Sequence, residues 1–339
     1  MTAGRGPLDA LPAEQRSRLS PGRPLRLTRP MLAVRSDRSD FDDRWLFERK
    51  LDGVRVLAAR SGTGAELVSR TGQPLSATYP EIAAALAPQR HDDLVLDGEV
   101  VALDRGRTSF SLLQRRMGLT DARAAAASGV TVTYYVFDLL RLDGHDLTRL
   151  PLRTRKALLR RELVLAAPLR LTPHRNAWDP AMLQDACRRG WEGLIAKRAD
   201  GRYAEGRSAD WLKLKCSAGQ ELVIGGWTAP SGARTGFGAL LLGHHDEPGG
   251  ALRYAGKVGT GFDQAALRRI AALLSGLARP ASPFADPVRE SAAHWVEPRL
   301  VAQIAFTEWT RDGKLRHPRF LGLRDDKPAG QVVRERPQG

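Results

Sequence analysis

Lys50-Leu51-Asp52-Gly53-Val54-Arg55 is the stretch on which the fold turns. It follows an apolar run, Trp45-Leu46-Phe47, that reads as a strand. A lysine, a carboxylate, a glycine and an arginine thus fall within six residues. Lysine becomes a nucleophile once its amine is neutral, which a neighbouring cation or partial burial favours. Arginine offers a planar fork suited to phosphate. In isolation the hexapeptide reads more readily as a solvated hairpin, because Leu-Asp-Gly is common in turns and flanking Lys and Arg are usually exposed. The sequence around it changes that balance.

The chain has 339 residues, a length that suggests two domains with a core in each. Lys and Arg outnumber Asp and Glu by 53 to 38, giving +15. From Gly219 onward there are 16 basic and 12 acidic residues, so most of the surplus precedes that point. Such a balance favours a polyanionic partner, nucleic acid first and an anionic membrane second. Two cysteines, Cys187 and Cys216, exclude a multi-disulfide framework and a four-cysteine zinc site. Both are expected to be inert or without a role, in a reducing cytoplasm. There is no long apolar run for a transmembrane helix and no signal-peptide core.

Residues 1–27 hold Pro, Gly, Arg and Ser without apolar period and read as a flexible basic leader. Trp45 to Phe47, Val54 to Ala59 and Glu66 to Ser69 read as consecutive antiparallel strands. Leu94 to Leu103 is a strand with a polar break, Asp97-Gly98-Glu99, at its centre. Helices are expected at Tyr79 to Ala87, Ser109 to Arg116, Arg153 to Val164 and Pro180 to Arg189, and strands at Val130 to Leu140, Gly193 to Lys197 and Trp211 to Lys215. After Cys216 the texture changes to short β-prone runs with turn clusters such as Pro230-Ser231-Gly232, interrupted by one helix from Gln264 to Leu277. Five short strands and a helix suit a small OB-fold barrel, with an SH3-like barrel as the runner-up. The domains are placed at 28–217 and 218–332, joined near Ser217-Ala218-Gly219, with a tail at 333–339.

Several charged residues fall where strand patterning predicts core. Glu48 stands two residues before Lys50 and shares its face of a strand. Glu192-Gly193-Leu194-Ile195-Ala196-Lys197 ends an apolar run with a lysine, and Lys213 and Lys215 alternate with Leu212 and Leu214. Each alone has an ordinary reading as a turn or a solvated face. Together and in order they resemble the covalent nucleotidyltransferase superfamily, specifically ATP-dependent DNA ligases. Lys50 to Arg55 matches K-x-D-G-x-R, and Ser69-Arg70-Thr71-Gly72 looks like the S-R-x-G block. Leu96 to Glu99 matches the D-G-E strand, Tyr135 to Asp138 the aromatic-aspartate motif, and Glu192 to Lys197 E-G-x-x-x-K. Arg207-Ser208 with Trp211 to Lys215 matches R-S-x-x-W-L-K-x-K, and Arg324 to Lys327 matches R-x-D-K. The resemblance covers roughly residues 28 to 332.

The resemblance implies an α+β fold, with an antiparallel-sheet nucleotidyltransferase (adenylation) domain followed by a C-terminal OB-fold β-barrel. It implies that Lys50 attacks the α-phosphate of ATP to form lysyl-AMP, that AMP passes to a 5′-phosphate, and that a 3′-hydroxyl then displaces it. Glu48 would accept from the adenine amine, favouring ATP over GTP. Arg55 and Arg70 would hold ribose and the nick's 5′-phosphate, Phe137 would stack on adenine, and Lys197 and Arg207 would bind the nucleotide. Lys213 and Lys215 would sit over the α-phosphate. Glu99 and Glu192 are the candidate ligands for Mg²⁺ or Mn²⁺. Arg324, Asp326 and Lys327 would act only in the first step, when the barrel closes over ATP. The implied substrate is nicked or broken double-stranded DNA.

Phe237 to Gly243, Tyr254 to Phe262 and Phe306 to Thr310 resemble bacterial ligases of the C/D type, which act in end joining, often with Ku. Ku is therefore a candidate partner, and the protein is expected to be a cytoplasmic, nucleoid-associated monomer without membrane contact. The rival readings are an RNA ligase and a catalytically inactive DNA-binding module. His244-His245-Asp246 reads as a polar hairpin, and His174 and His317 are given no partner.

Overall fold

The computed structural model describes residues 6–21, 29–216, 219–230, 236–290 and 292–335. The chain divides into two compact units, one reaching to Cys216 and one spanning Ser217–Arg336. The main elements of the first unit are α1 (Ala13–Arg16), β1 (Met31–Arg35), β2 (Trp45–Arg49), β3 (Val54–Ser61), β4 (Gly64–Ser69), α2 (Pro80–Leu86), β5 (Asp93–Asp104), α3 (Phe110–Gln114), α4 (Ala122–Ala127), β6 (Val132–Leu142), α5 (Leu152–Glu162), β7 (Leu169–Leu171), β8 (His174–Arg175), α6 (Ala181–Arg188), β9 (Gly193–Arg198) and β10 (Gly206–Lys215).

These strands form two sheets. One runs β6-β5-β3-β4, antiparallel, with β7 added parallel to β6. The other runs β8-β2-β9-β10-β1, with β1 parallel to β10. The expectation that β2 and β3 are neighbouring antiparallel strands is therefore corrected: they lie in different sheets, and residues 50–53 carry the chain from one to the other. Gly53 shows why this is not a hairpin turn. A Cβ on Gly53 would fall 2.2 Å from the carbonyl oxygen of Val100, so the crossing chain presses against β5 where no side chain fits.

Alternation along the strands sorts the residues by face. Val54, Val56, Leu96, Val100, Tyr134 and Val136 enter a core closed by helices that contribute Ile82, Leu113 and Leu158. In the second sheet Phe47, Leu194, Leu212 and Leu214 turn outward onto Met182 and Ala186 of α6. The charged residues left over from both sheets therefore face each other.

The flexible leader expected over residues 1–27 is corrected for residues 6–21. Leu8 and Leu11 are buried in the first unit's core, and Thr154 Oγ1 donates to Gln15 Oε1 at 3.0 Å. Leu19 packs on the same core and Ser20–Pro21 pair with Asp146 and His145, a few apolar contacts too sparse to show as period. Residues 1–5 and 22–28 lie outside the described residues. The cysteines, expected to be inert, are joined: Cys187 of α6 forms a disulfide with Cys216, the residue after β10.

The second unit comprises β11 (Gly219–Thr228), β12 (Leu240–His245), β13 (Leu252–Val258), α7 (Gln264–Ser275), β14 (Ala293–Ala305) and β15 (Arg319–Leu323). Its sheet runs β13-β12-β11-β14, with β15 also on β14. Asp263 caps α7 by accepting from Ala266 N at 2.7 Å, and Leu267, Ile270 and Leu274 pack on Leu222, Leu240 and Ile304. This is the OB-fold half of the expected architecture. The proposed junction residues Ser217 and Ala218, and Ser231 and Gly232 of the turn cluster, lie outside the described residues. His245 Nδ1 bonds the carbonyl of Gly250 at 2.6 Å, within the polar hairpin between β12 and β13.

Candidate active site

Lys50 stands at the end of β2. Its backbone N donates to Gly193 O at 2.9 Å, extending the ladder onto β9. Its Nζ donates to Glu192 Oε2 at 2.6 Å, with the two side chains about one-fifth and one-quarter exposed. Gly193 pairs with Lys215 and Ile195 with Lys213, which brings both β10 lysines to the same end of the sheet. A Cβ on Gly193 would meet Leu214 O at 2.0 Å, so the glycine after Glu192 is required by the close approach of β10. Burial alone would depress the Lys50 ammonium, but Glu192, Asp52 and Glu99 outweigh it and hold its pKa above the ordinary lysine value. Burial likewise opposes the charge on Glu192, yet Lys50, Lys215 and Lys213 bring its pKa below the usual range. The resting lysine is thus a protonated ion-pair partner.

Arg55 is engaged by a buried carboxylate. Its Nε and Nη2 reach Asp97 Oδ1 and Oδ2 at 2.5 and 2.6 Å, and Nη2 also donates to Met31 O at 3.1 Å. Asp97 is fully buried, so a cation must compensate it. Tyr203 completes the cradle: its hydroxyl donates to Asp97 Oδ2 at 2.6 Å and accepts from Met31 N at 2.9 Å. Burial opposes the Arg55 charge, but Asp97 overcomes it and raises its pKa. Tyr203 escaped the sequence reading because it lies in an irregular loop with no period around it.

Deeper in the same face, Glu48 lies between two lysines. Lys156 Nζ is 2.6 Å from Oε1 and Lys197 Nζ is 2.8 Å from Oε2, and all three side chains are almost fully buried. Burial would raise the Glu48 pKa, but Lys156 and Lys197 hold it below the usual range. Lys197 is pushed down to about 8, chiefly by burial, with Glu48 opposing and Lys156 adding to the shift. His174 pairs with Glu48 across the sheet, and its Nδ1 is buried without a partner among the described residues. Burial and Lys156 lower its pKa. Lys156 was missed because α5 carries Arg153, Arg155, Arg160 and Arg161 as well, and sequence cannot say which cation turns inward.

The expected stacking residue Phe137 is buried, with Lys197 Nζ 3.9 Å and Arg55 Cζ 4.6 Å from its ring centroid. Trp211 shares both cations, at 4.0 and 5.5 Å. Asp138, the aspartate of the same motif, has a structural task. It takes Arg155 Nε and Nη2 at 2.7 and 2.8 Å, both residues being fully buried, and so fastens α5 to β6.

Ser69 Oγ accepts from Gln73 N at 3.1 Å and forms the turn that carries Arg70. Arg207 is exposed at the start of β10, and the register of β10 on β1 slips between Ser208 and Leu212, so Arg207 and Lys213 lie opposite Leu32 and Arg35. In the second unit Arg324 pairs with Asp326 at 2.8 Å, and Lys327 with Glu221 at 2.9 Å.

Glu192 touches Lys50 at 2.6 Å, and Glu99, like Asp52, acts on its charge. Among the described residues no group of three or more His, Cys, Asp or Glu could hold a metal. Two carboxylates, without thiols, fit a hard divalent cation that completes its shell with phosphate oxygens and water. No helix among the described residues is long and apolar enough to cross a membrane.

Residues 30–215 match the family described as ATP dependent DNA ligase domain, and residues 233–327 the family described as ATP dependent DNA ligase C terminal region. The multifunctional non-homologous end joining protein LigD of Pseudomonas aeruginosa is 39% identical over 305 residues, which is 87% of this chain and 35% of that one. The multifunctional non-homologous end joining DNA repair protein LigD of Mycobacterium tuberculosis is 39% identical over 315 residues, or 90% of this chain and 40% of that one. The chain thus spans well under half the length of these curated relatives. A solved mycobacterial DNA ligase D complexed with ATP and MES is 36% identical with a TM-score of 0.65, covering 91% of this chain and 98% of that one.

Proposed function

The chain belongs to the ATP-dependent DNA ligases, and on that premise we propose that it seals 5′-phosphate/3′-hydroxyl breaks in double-stranded DNA through an AMP adduct on Lys50. The observation that carries this is Lys50 Nζ on Glu192 at 2.6 Å, at the strand ends that also bear Lys213 and Lys215. Lys50 passes its proton to solvent and its neutral amine attacks the α-phosphorus of ATP; the bond to pyrophosphate breaks as the phosphoramidate forms. AMP then passes to the 5′-phosphate, and the 3′-hydroxyl displaces it. All three are in-line displacements, so positioning and charge neutralisation are the main tasks. Lys213 and Lys215 supply fixed positive charge to the phosphate. The Asp97–Arg55–Tyr203 cradle holds β1, β3 and β5 in register around the nucleotide. Mg²⁺ held by Glu99 and Glu192 would neutralise phosphate charge when bound. Glu48, with its two lysines, presents an acceptor flanked by donors, a pattern that suits the amine and ring nitrogen of adenine rather than the O6 of guanine.

The similarity to LigD end-joining proteins supports a role in end joining, and Ku is the partner to test for it. Intact mass after incubation with ATP and Mg²⁺ tests the chemistry: one AMP is gained, and none by Lys50→Ala. Sealing of nicked DNA, nicked RNA and cohesive double-strand ends, with and without Ku, tests the substrate. No AMP gain, or faster sealing of RNA, overturns the reading.

A further inference from the structure

The motif lysine of the second unit is held by a residue that no motif contains. Lys327 Nζ donates to Glu221 Oε2 at 2.9 Å, and the two side chains are only 8% and 14% exposed. Glu221 lies on β11, 106 residues away in sequence. Its face-mate Val223 is buried with Val332, from the segment just past Lys327. Arg324 N donates to Val301 O at 2.7 Å, and His245 N to Val332 O at 2.7 Å. The motif segment is thus laid along the sheet, with the Glu221 carboxylate beneath its lysine. Arg324 meanwhile spends its guanidinium on Asp326 at 2.8 and 2.9 Å. Each of the two motif cations thus has a carboxylate beside it at rest. A carboxylate and a phosphate compete for the same ammonium donors.

We propose that Glu221 is a positioning residue that holds Lys327 at rest and yields it to the pyrophosphate leaving group in the first step. The inference rests on the reading of Arg324 and Lys327 as first-step residues. The exchange makes and breaks no covalent bond: Lys327 leaves a singly charged carboxylate for a multiply charged phosphate, and returns when pyrophosphate departs. Glu221 thereby sets the affinity for ATP and pyrophosphate without touching either the reacting phosphorus or the DNA.

The test uses the full chain, with Glu221→Gln, Glu221→Asp and Lys327→Ala. Protein–AMP formation is measured against ATP concentration and against inorganic pyrophosphate as inhibitor, beside sealing of a pre-adenylated nick. Glu221→Gln is expected to lower the KM for ATP and the inhibition constant of pyrophosphate by roughly fivefold, the scale of one partly exposed ion pair. Its maximal adenylation rate and its sealing of the pre-adenylated nick stay at the parent level. Glu221→Asp, which keeps the charge, restores the parent KM. A Glu221→Gln that loses melting temperature and both activities together shows a structural role and overturns the latch. Unchanged ATP and pyrophosphate constants, with adenylation crippled in Lys327→Ala, overturn the latch alone. A Lys327→Ala that adenylates like the parent removes the reading beneath it.

Discussion

Replacing Lys156 by Met should move the titration of a different lysine. Glu48 sits between Lys156 and Lys197 at 2.6 and 2.8 Å, and the Lys197 pKa falls from 10.5 to about 8. At about 1.4 kcal/mol per unit, the folded protein disfavours the charged form of Lys197 by roughly 3 kcal/mol. Burial is the main cause and the Lys156 charge contributes. Met fills the lysine's aliphatic volume but removes that charge, and it leaves Glu48 with Lys197 as its remaining ion-pair partner. Both changes favour the Lys197 ammonium, so its midpoint rises from about 8 toward 10.5. The sign carries over to stability. Because the folded pKa lies below the unfolded one, the penalty is fully present below pH 8 and fades as pH climbs to 10.5. Stability that rises across that window in the parent rises less in Lys156→Met. The chain has only eight lysines, so side-chain NMR can follow each titration. A parent Lys197 that titrates at the ordinary value, or a midpoint that stays or falls in Lys156→Met, refutes the cluster.

The same spectra test the nucleophile: Lys50 in the metal-free protein titrates above the ordinary lysine value, and Mg²⁺ lowers its midpoint by competing for Glu192 and Glu99. A metal-free midpoint below the ordinary lysine value, or one indifferent to Mg²⁺, contradicts the geometry. Arg155→Met strands the buried Asp138 and should cost about 3–5 kcal/mol in urea unfolding, whereas Arg155→Met with Asp138→Leu recovers most of it; a double variant no better than the single one argues against the pair. Reducing the Cys187–Cys216 bridge, which closes a segment of 29 residues, should cost about 3–4 kcal/mol of loop-closure free energy. A melting temperature of the first unit that is indifferent to dithiothreitol would contradict this.

Much of the fold was legible because it rests on local signals. The strand at Val132–Leu142, the helix at Leu152–Glu162 and the glycine-terminated helix before Gly190 follow from period, β-branching and end chemistry, which act within a few residues. The Lys213/Lys215 alternation also settled which face those side chains take, since a strand has only two. Local patterns failed where partners are remote. Lys50 to Gly53 carries the character of a hairpin, and only the carbonyl of Val100 against Gly53 shows that the chain changes sheets there.

The order of the chemistry-bearing blocks, their residue types and their strand faces can be read along the chain, because those are properties of sequence neighbours. The tertiary structure alone decided the charge state of the nucleophile. It gave Lys50 to Glu192, Arg55 and Tyr203 to Asp97, Glu48 to Lys156 and Lys197, and Lys327 to Glu221. The partners are separated by 142 residues in the first case and 106 in the last. Electrostatic energy depends on distance and burial in space, and neither is written into residue spacing.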